Sequence, residues 1–233
     1  MPRNLPRGWW VLCVLGALQA DAWAFVPGAT HLMEQMASQR SSVAVNRWRI
    51  VLQCAQAGQT AAQEILYIKV PGMVRRDHAE GSVEICRDGR CALKKGTEPA
   101  ATAQPSYYEL FRFLAEVPEN AGTYLEWLDS LKVQRAVNTL TRSHGRIAVI
   151  LGAKAWEGDK PQLWIDKDRF LPLRLIFRDG KSVVDLQWSD WGGKTSGNGV
   201  PALFEVYKDG ALIERCEVVE SKPGASIPDN LFH

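Results

Sequence analysis

Apolar and polar residues alternate with period two over most of this chain. In VNRWRIVLQCAQ (45–56), Trp48, Ile50, Leu52 and Cys54 fall on one face and Arg47, Arg49 and Gln53 on the other. That pattern predicts a half-buried strand. AQEILYIKV (62–70) predicts a second, stopped by Pro71-Gly72, and MVRRDH (73–78) and GSVEIC (81–86) continue the meander. From 133 onward the chain reads as strand after strand. RIAVILGAKAW, PQLWID, FLPLRLIF, SVVDLQW, VPALFEVY and ALIERCEVVE are apolar-rich runs, broken by EGD, KDR, RDGK, GGKTSGNG and KDG. Short strands at such intervals form an antiparallel meander, not a parallel sheet with crossover helices.

Helical spacing is confined to three places. Leu32, Met33, Met36 and Ala37 predict an amphipathic helix over about 30–39. SYYELFRFLAEV and TYLEWLDSL each start like a capping box, Ser106 with Glu109 and Thr123 with Glu126. The whole pattern predicts an α+β fold with about ten or eleven strands. So large a sheet with one apolar face must close, stack or be covered. With so few helices, a strongly curved sheet wrapping them is expected.

Two hairpins can be registered from sequence. A two-residue turn at Asp179-Gly180 pairs Leu175 with Val184, Leu173 with Leu186 and Arg174 with Asp185. One face then holds Leu171, Leu173, Leu175, Phe177, Val184, Leu186 and Trp188. At Asp209-Gly210 a two-residue turn sets Glu205 against Glu214, which is unfavourable. A three-residue loop, opposing Val206 to Leu212, is expected there instead.

The first 24 residues do not belong to this scheme. Arg3 and Arg7 precede an apolar run from Trp9 to Leu18, and Ala20, Ala22 and Ala24 follow. This is the layout of a cleaved secretory signal, with the cut after Ala24 or Ala22. An uncleaved anchor is the alternative, though the run is short for a bilayer span. Residues 25–233 then form a single domain. Loss of Arg3, Arg7 and Asp21 takes 28 basic residues to 26 and 26 acidic ones to 25. The mature chain is near neutral and carries no clustered charge for nucleic acid. A periplasmic monomer is expected.

Export changes the reading of the cysteines. Cys54, Cys86, Cys91 and Cys216 remain, and an even count in an exported chain favours disulfides. Asp88-Gly89 is a two-residue turn signal. It pairs Arg87 with Arg90, and Cys86 then faces Cys91 across the hairpin. Four cysteines allow three connectivities; if Cys86 takes Cys91, Cys54 is left with Cys216. Zinc is the alternative, but no His has ligand spacing to this pair.

Catalytic constellations are scarce, and no enzyme, metal or cofactor is expected. There is no G-x-S-x-G, H-E-x-x-H, phosphate loop or G-x-G-x-x-G. GGKTSGNG (192–199) reads as a mobile hairpin loop and His144, beside Gly145, as a solvated turn residue. RRDH (75–78) reads as a solvated strand end. Asp166 and Asp168 flank a turn, where Asp is expected. What remains is apolar surface. Each tryptophan taken singly, among them Trp127, Trp156, Trp164 and Trp191, reads as core. A half-barrel with few helices need not fill its own hollow, and partly filled barrels hold apolar ligands. The expected cavity lining is Trp48, Ile50, Leu52, Leu173, Leu175, Phe177, Val184, Leu186 and Trp188.

LYIKVPGMVRRD (66–77) followed by ICRDGRCAL (85–93) resembles the strand–Pro–strand–hairpin of the LolA-like periplasmic lipoprotein-sorting carriers. LWIDKDRFLPLRLIF (163–177) and SIPDNLF (226–232) are similar to later stretches of that family, in the same order. The resemblance implies an incomplete antiparallel β-barrel lidded by helices. It implies a cavity for lipid or lipoprotein acyl chains, and partners among inner- and outer-membrane sorting components. The chain departs from the family at Val70, where the better-known carriers have Arg, and at Val74, where they have Phe. The alternative is an envelope protein-interaction or sensor module with a filled interior and no cargo.

Overall fold

Alternation with period two becomes one antiparallel sheet. The computed structural model describes residues 26–43, 45–87, 89–96, 101–102, 106–116, 120–196 and 199–233, so the expected signal segment lies outside the described residues. A first helix, α1 (Ala29–Ser42), precedes β1 (Arg47–Gln56), β2 (Ala62–Lys69), β3 (Met73–Asp77), β4 (Ser82–Arg87), β5 (Arg90–Lys95) and a two-residue β6 (Ala101–Thr102). Then come α2 (Ser106–Ala115) and α3 (Ala121–Ser130). The chain finishes with β7 (Asn138–Ser143), β8 (Arg146–Leu151), β9 (Gln162–Asp166), β10 (Pro172–Asp179), β11 (Ser182–Ser189), β12 (Leu203–Lys208), β13 (Ala211–Pro223) and a 3-10 turn at Asp229–Phe232.

The sheet order is β6-β5-β4-β3-β2-β1-β13-β12-β11-β10-β9-β8-β7. Every neighbour is a hairpin partner except the central pair, where the first strand meets the last. The barrel is incomplete: β6 and β7 are its two edges, and the helical pair α2–α3 connects them along the chain. Among the described residues there are thirteen strands, against the expected ten or eleven. The additions are β6 and β7, whose NTLTRS has no apolar alternation to reveal it.

Register follows burial, with two corrections. At β10–β11, Asp179 pairs with Ser182 and Leu175 with Leu186, so the turn is Gly180-Lys181. Gly180 has φ +61°, and Gly in the first central position fits the type II′ turn. The shift is two residues in all, so Leu173, Leu175, Phe177, Val184, Leu186 and Trp188 keep their shared face. At β12–β13 the turn is the two-residue one, with Asp209 and Gly210 both at positive φ. A bulge between Val206 and Tyr207 then opposes Glu205 to Arg215, with Arg215 Nη1 donating to Glu205 at 2.7 Å. Repulsion between Glu205 and Glu214 is thus removed by a bulge, not by a longer loop.

Both disulfides form across paired strands, Cys86–Cys91 on β4 and β5 and Cys54–Cys216 on β1 and β13, each with Cα atoms 4.0 Å apart. The second stitches the sheet where its two halves meet.

Candidate ligand-binding face

All nine expected lining residues lie on the face that the helices cover, and all are buried. That face is filled from above. Leu32, Met33 and Met36 come from α1, Tyr108, Phe111 and Leu114 from α2, and Tyr124, Trp127 and Leu128 from α3. They join the sheet residues in one apolar cluster. Trp188 Nε1 donates to the Leu110 carbonyl at 2.9 Å, which docks α2 on β11. Phe111 packs edge-on to Phe204, centroids 5.5 Å apart. Each such side chain contributes about 1.5–3 kcal/mol by leaving water.

Leu173 and Trp188 differ from the other seven. They line a pocket of about 280 Å³ at one end of the sheet, with Trp191 beside them. Its rim is polar. Asp166 Oδ1 accepts from the Asp168 and Arg169 amides at 3.0 Å each, so the Asp expected at this turn is the group that organises it. Arg146 approaches Asp166 Oδ2 at 3.5 Å, and Arg169 Nη2 donates to the Trp191 carbonyl at 2.9 Å. His144 is exposed, as its turn position implied, with φ +47°. Gly192 and Gly193 also line the pocket. Ser196 of the same glycine-rich loop is buried, while Gly197 and Asn198 lie outside the described residues.

How the helices are held was not foreseen. Arg40 lies beyond the expected end of α1. Its Nε donates to the Phe113 carbonyl at 3.0 Å and its Nη2 to Leu114 at 2.8 Å, at the C-terminal end of α2. A cation there complements the helix dipole. The Gly72 amide, after Pro71, donates to the Ala115 carbonyl at 2.8 Å. Burial pushes the Arg40 pKa down from its ordinary value. The capping boxes need correction. Glu109 reaches Arg112 at 3.0 Å and the Trp127 indole N–H at 2.7 Å, tying α2 to α3. Burial raises its pKa against the opposing pull of Arg112. Asn120, not Thr123, caps α3 by accepting from the Gly122 amide at 2.7 Å.

The same face carries a buried ionic cluster near the β1–β2 and β3–β4 turns. Arg76, read as part of a solvated strand end, is 1% exposed. Its Nε donates to Glu64 at 2.6 Å and its two Nη groups to Glu214 at 3.0 and 2.5 Å. His78 sits between Glu64 at 3.4 Å and Glu84 at 4.0 Å. Burial lowers and the two glutamates raise the Arg76 pKa, and the glutamates prevail. Burial raises the Glu64 carboxyl, but the His78 hydrogen bond and the Arg76 charge outweigh it and hold it low. At Glu84 burial outweighs the Arg76 and His78 charges and holds the pKa above the usual value. Alternation could have found these residues: Glu64 falls in step with Leu66 and Ile68, and Arg76 with Val74.

Among the described residues, three groups of potential metal ligands lie close together. Two of them use Cys54 and Cys216 or Cys86 and Cys91. Those sulfurs are bonded to each other and are not thiolate ligands. The third is Glu64, His78 and Glu80, in which Glu64 already neutralises Arg76.

No protein-family model and no curated protein sequence matches the chain. Solved structures do. A LolA superfamily protein from Nitrosomonas europaea superposes with TM-score 0.51 at 10% identity, over 89% of this chain and 98% of that one. A Vibrio parahaemolyticus domain described by outer membrane lipoprotein sorting gives 0.53 at 10% identity, over 88% and 95%. A DUF1329 family protein from Desulfovibrio piger gives 0.53 at 14% identity, over 89% and 98%. At such identities the likeness is one of fold.

Proposed function

From a chain whose fold is LolA-like, we propose an exported periplasmic binding protein that holds the acyl chain of a lipid or lipoprotein for outer-membrane sorting. The observation that supports it is the 280 Å³ pocket, with Leu173 and Trp188 of the inner face in its wall and a polar rim above them. Apolar floor and polar rim suit a ligand that is greasy at one end and hydrated at the other. The remaining seven residues of the proposed lining, from Trp48 to Leu186, are reached only when α1, α2 and α3 move off the sheet. A chain of about 14 carbons gains roughly 11 kcal/mol on leaving water. A bilayer offers a similar gain, so the helices that refill the groove help return the cargo. Direction comes from partners or from helix closure, not from affinity alone.

The test is uptake of a fluorescent fatty-acyl probe by the purified mature protein, with mass spectrometry for co-purified lipid. Binding by wild type and weakened binding by folded Leu173→Glu are expected. Absence of both uptake and co-purified lipid overturns the reading.

A second reading is favoured by the filling of the inner face by the protein's own helices. In it the fold serves as an envelope protein-interaction or sensor module without cargo. A pull-down that yields a stable protein partner, from a preparation free of lipid, selects this reading.

A further inference from the structure

The interior holds a cation with no anionic partner in contact and a hydroxyl left without a hydrogen bond, and the further role assigned to them rests on the acyl-binding reading. Arg40 is 2% exposed, and its guanidinium faces the carbonyls of Phe113, Leu114 and Val43. It also lies 4.8 Å from the centre of the Trp48 ring. None of these partners is anionic, and a buried charge is stabilised best by an opposite one. Tyr124, on α3, is equally buried, and among the described residues its hydroxyl has no hydrogen-bond partner. Such a hydroxyl costs about 1–3 kcal/mol, and native structures retain few of them.

A groove runs between the two helices that carry these residues. The groove between α1 and α3 encloses about 420 Å³. Ala37 and Ser41 line it from α1, and Ala121 and Leu125 from α3; Arg40 and Tyr124, buried on the same two helices, are not in its wall, so a head reaches them only as α1 and α3 part. A line of ring contacts leads on from Tyr124. Tyr124 stacks on Phe113 with centroids 6.3 Å apart, and Phe113 meets Trp191 at 5.6 Å. Trp191 borders the pocket of Leu173 and Trp188. An aromatic row therefore joins the two polar groups to the proposed resting place of an acyl chain.

We propose that Arg40 and Tyr124 anchor the anionic head of a single-chain amphiphile. A carboxylate or phosphate oxygen accepts from the Tyr124 hydroxyl and faces the Arg40 guanidinium, while the chain follows Phe113 and Trp191. An uncharged head leaves Arg40 without its counter-charge, so the site selects anions.

The experiment uses the mature chain with oleate, oleoyl lysophosphatidate and oleyl alcohol, read by displacement of a fluorescent acyl probe, alongside melting temperature. One or both anionic ligands should bind about tenfold tighter than the alcohol. Binding of oleate alone or lysophosphatidate alone names the head as carboxylate or phosphate. Tyr124→Phe should reduce that preference, because the hydroxyl donates a stronger hydrogen bond to an anion than to an alcohol, and should leave the melting temperature unchanged or raised, because the hydroxyl has no partner to lose. Equal binding of oleate, lysophosphatidate and oleyl alcohol overturns the anchor but keeps the acyl site. So does a Tyr124→Phe protein with lower melting temperature and intact preference, which places a buried water on the hydroxyl. No binding of any of the three removes the acyl site itself.

Discussion

The inner face of this sheet is buried in two different ways. Around Leu175 and Leu186 it is covered by apolar helix side chains. Near the β1–β2 and β3–β4 turns it is closed by charge, with Arg76 between Glu64 and Glu214 and Glu84 close by. Both regions obey the same alternation. They differ in how they fail. An apolar contact is lost by degrees, since removing a methyl group removes its own share. An ionic contact is lost at once, because the partners left behind keep their desolvation penalty.

The largest effect should therefore come from Arg76→Met. The methionine fills much of the volume but leaves Glu64 and Glu214 buried without their cation. A loss of about 3–5 kcal/mol is expected in urea unfolding at neutral pH. Replacing all three residues, Arg76→Met with Glu64→Leu and Glu214→Leu, should recover most of it, since whole buried ion groups are often exchangeable for apolar ones. If the triple variant is as unstable as the single one, the cluster holds the sheet by geometry and the contrast between the regions fails.

Leu186→Ala probes the other region. Leu186 is fully buried on β11, opposite Leu175 and Val206. A loss of about 3 kcal/mol is expected from transfer and cavity together. Leu186→Met should cost less than about 1.5 kcal/mol, because volume is kept. An equal loss from both variants would show that this region, too, demands one particular side chain.

The contrast also marks what the sequence made legible. The helix-covered region was readable because Trp48, Ile50 and Leu52, and Leu173, Leu175 and Phe177, are apolar at every second position. Apolar residues in step have one common destination. Turn chemistry was readable as far as the presence of Gly, and the fold-level resemblance was readable from the order of motifs. The ionic cluster was not read, although Glu64 and Arg76 occupy inward positions of the same kind. A charged residue in step with apolar ones carries a burial signal and a solvation signal of opposite sense. The deciding fact, a partner at Glu214, lies 138 residues away from Arg76 along the chain. Arg40 was hidden for the same reason: its partners are main-chain carbonyls on another helix, which leave no trace in side-chain pattern. The strand β7 was missed because an edge strand that is only half buried needs no apolar alternation.

The smallest effect is also the one with the opposite sign. Glu84 is buried among Arg76, His78, Glu64 and Glu214, and burial holds its pKa above the usual carboxylate value. The folded protein therefore binds that proton more tightly than the unfolded chain does. Its contribution is fully present below the unfolded pKa and is lost as pH rises through the folded one. Glu64 behaves inversely: its lowered pKa contributes above the ordinary carboxylate range, and that contribution is lost on acidification. Glu84→Gln should accordingly match wild type in acid and surpass it slightly at neutral pH, whereas Glu64→Gln should fall below wild type at neutral pH and approach it in acid. Urea midpoints across pH 4 to 8 read both curves. Parallel curves for the two variants would mean that Arg76 serves both carboxylates alike, and the ionic region would then be one uniform network instead of a neutralised core with a strained carboxyl at its margin.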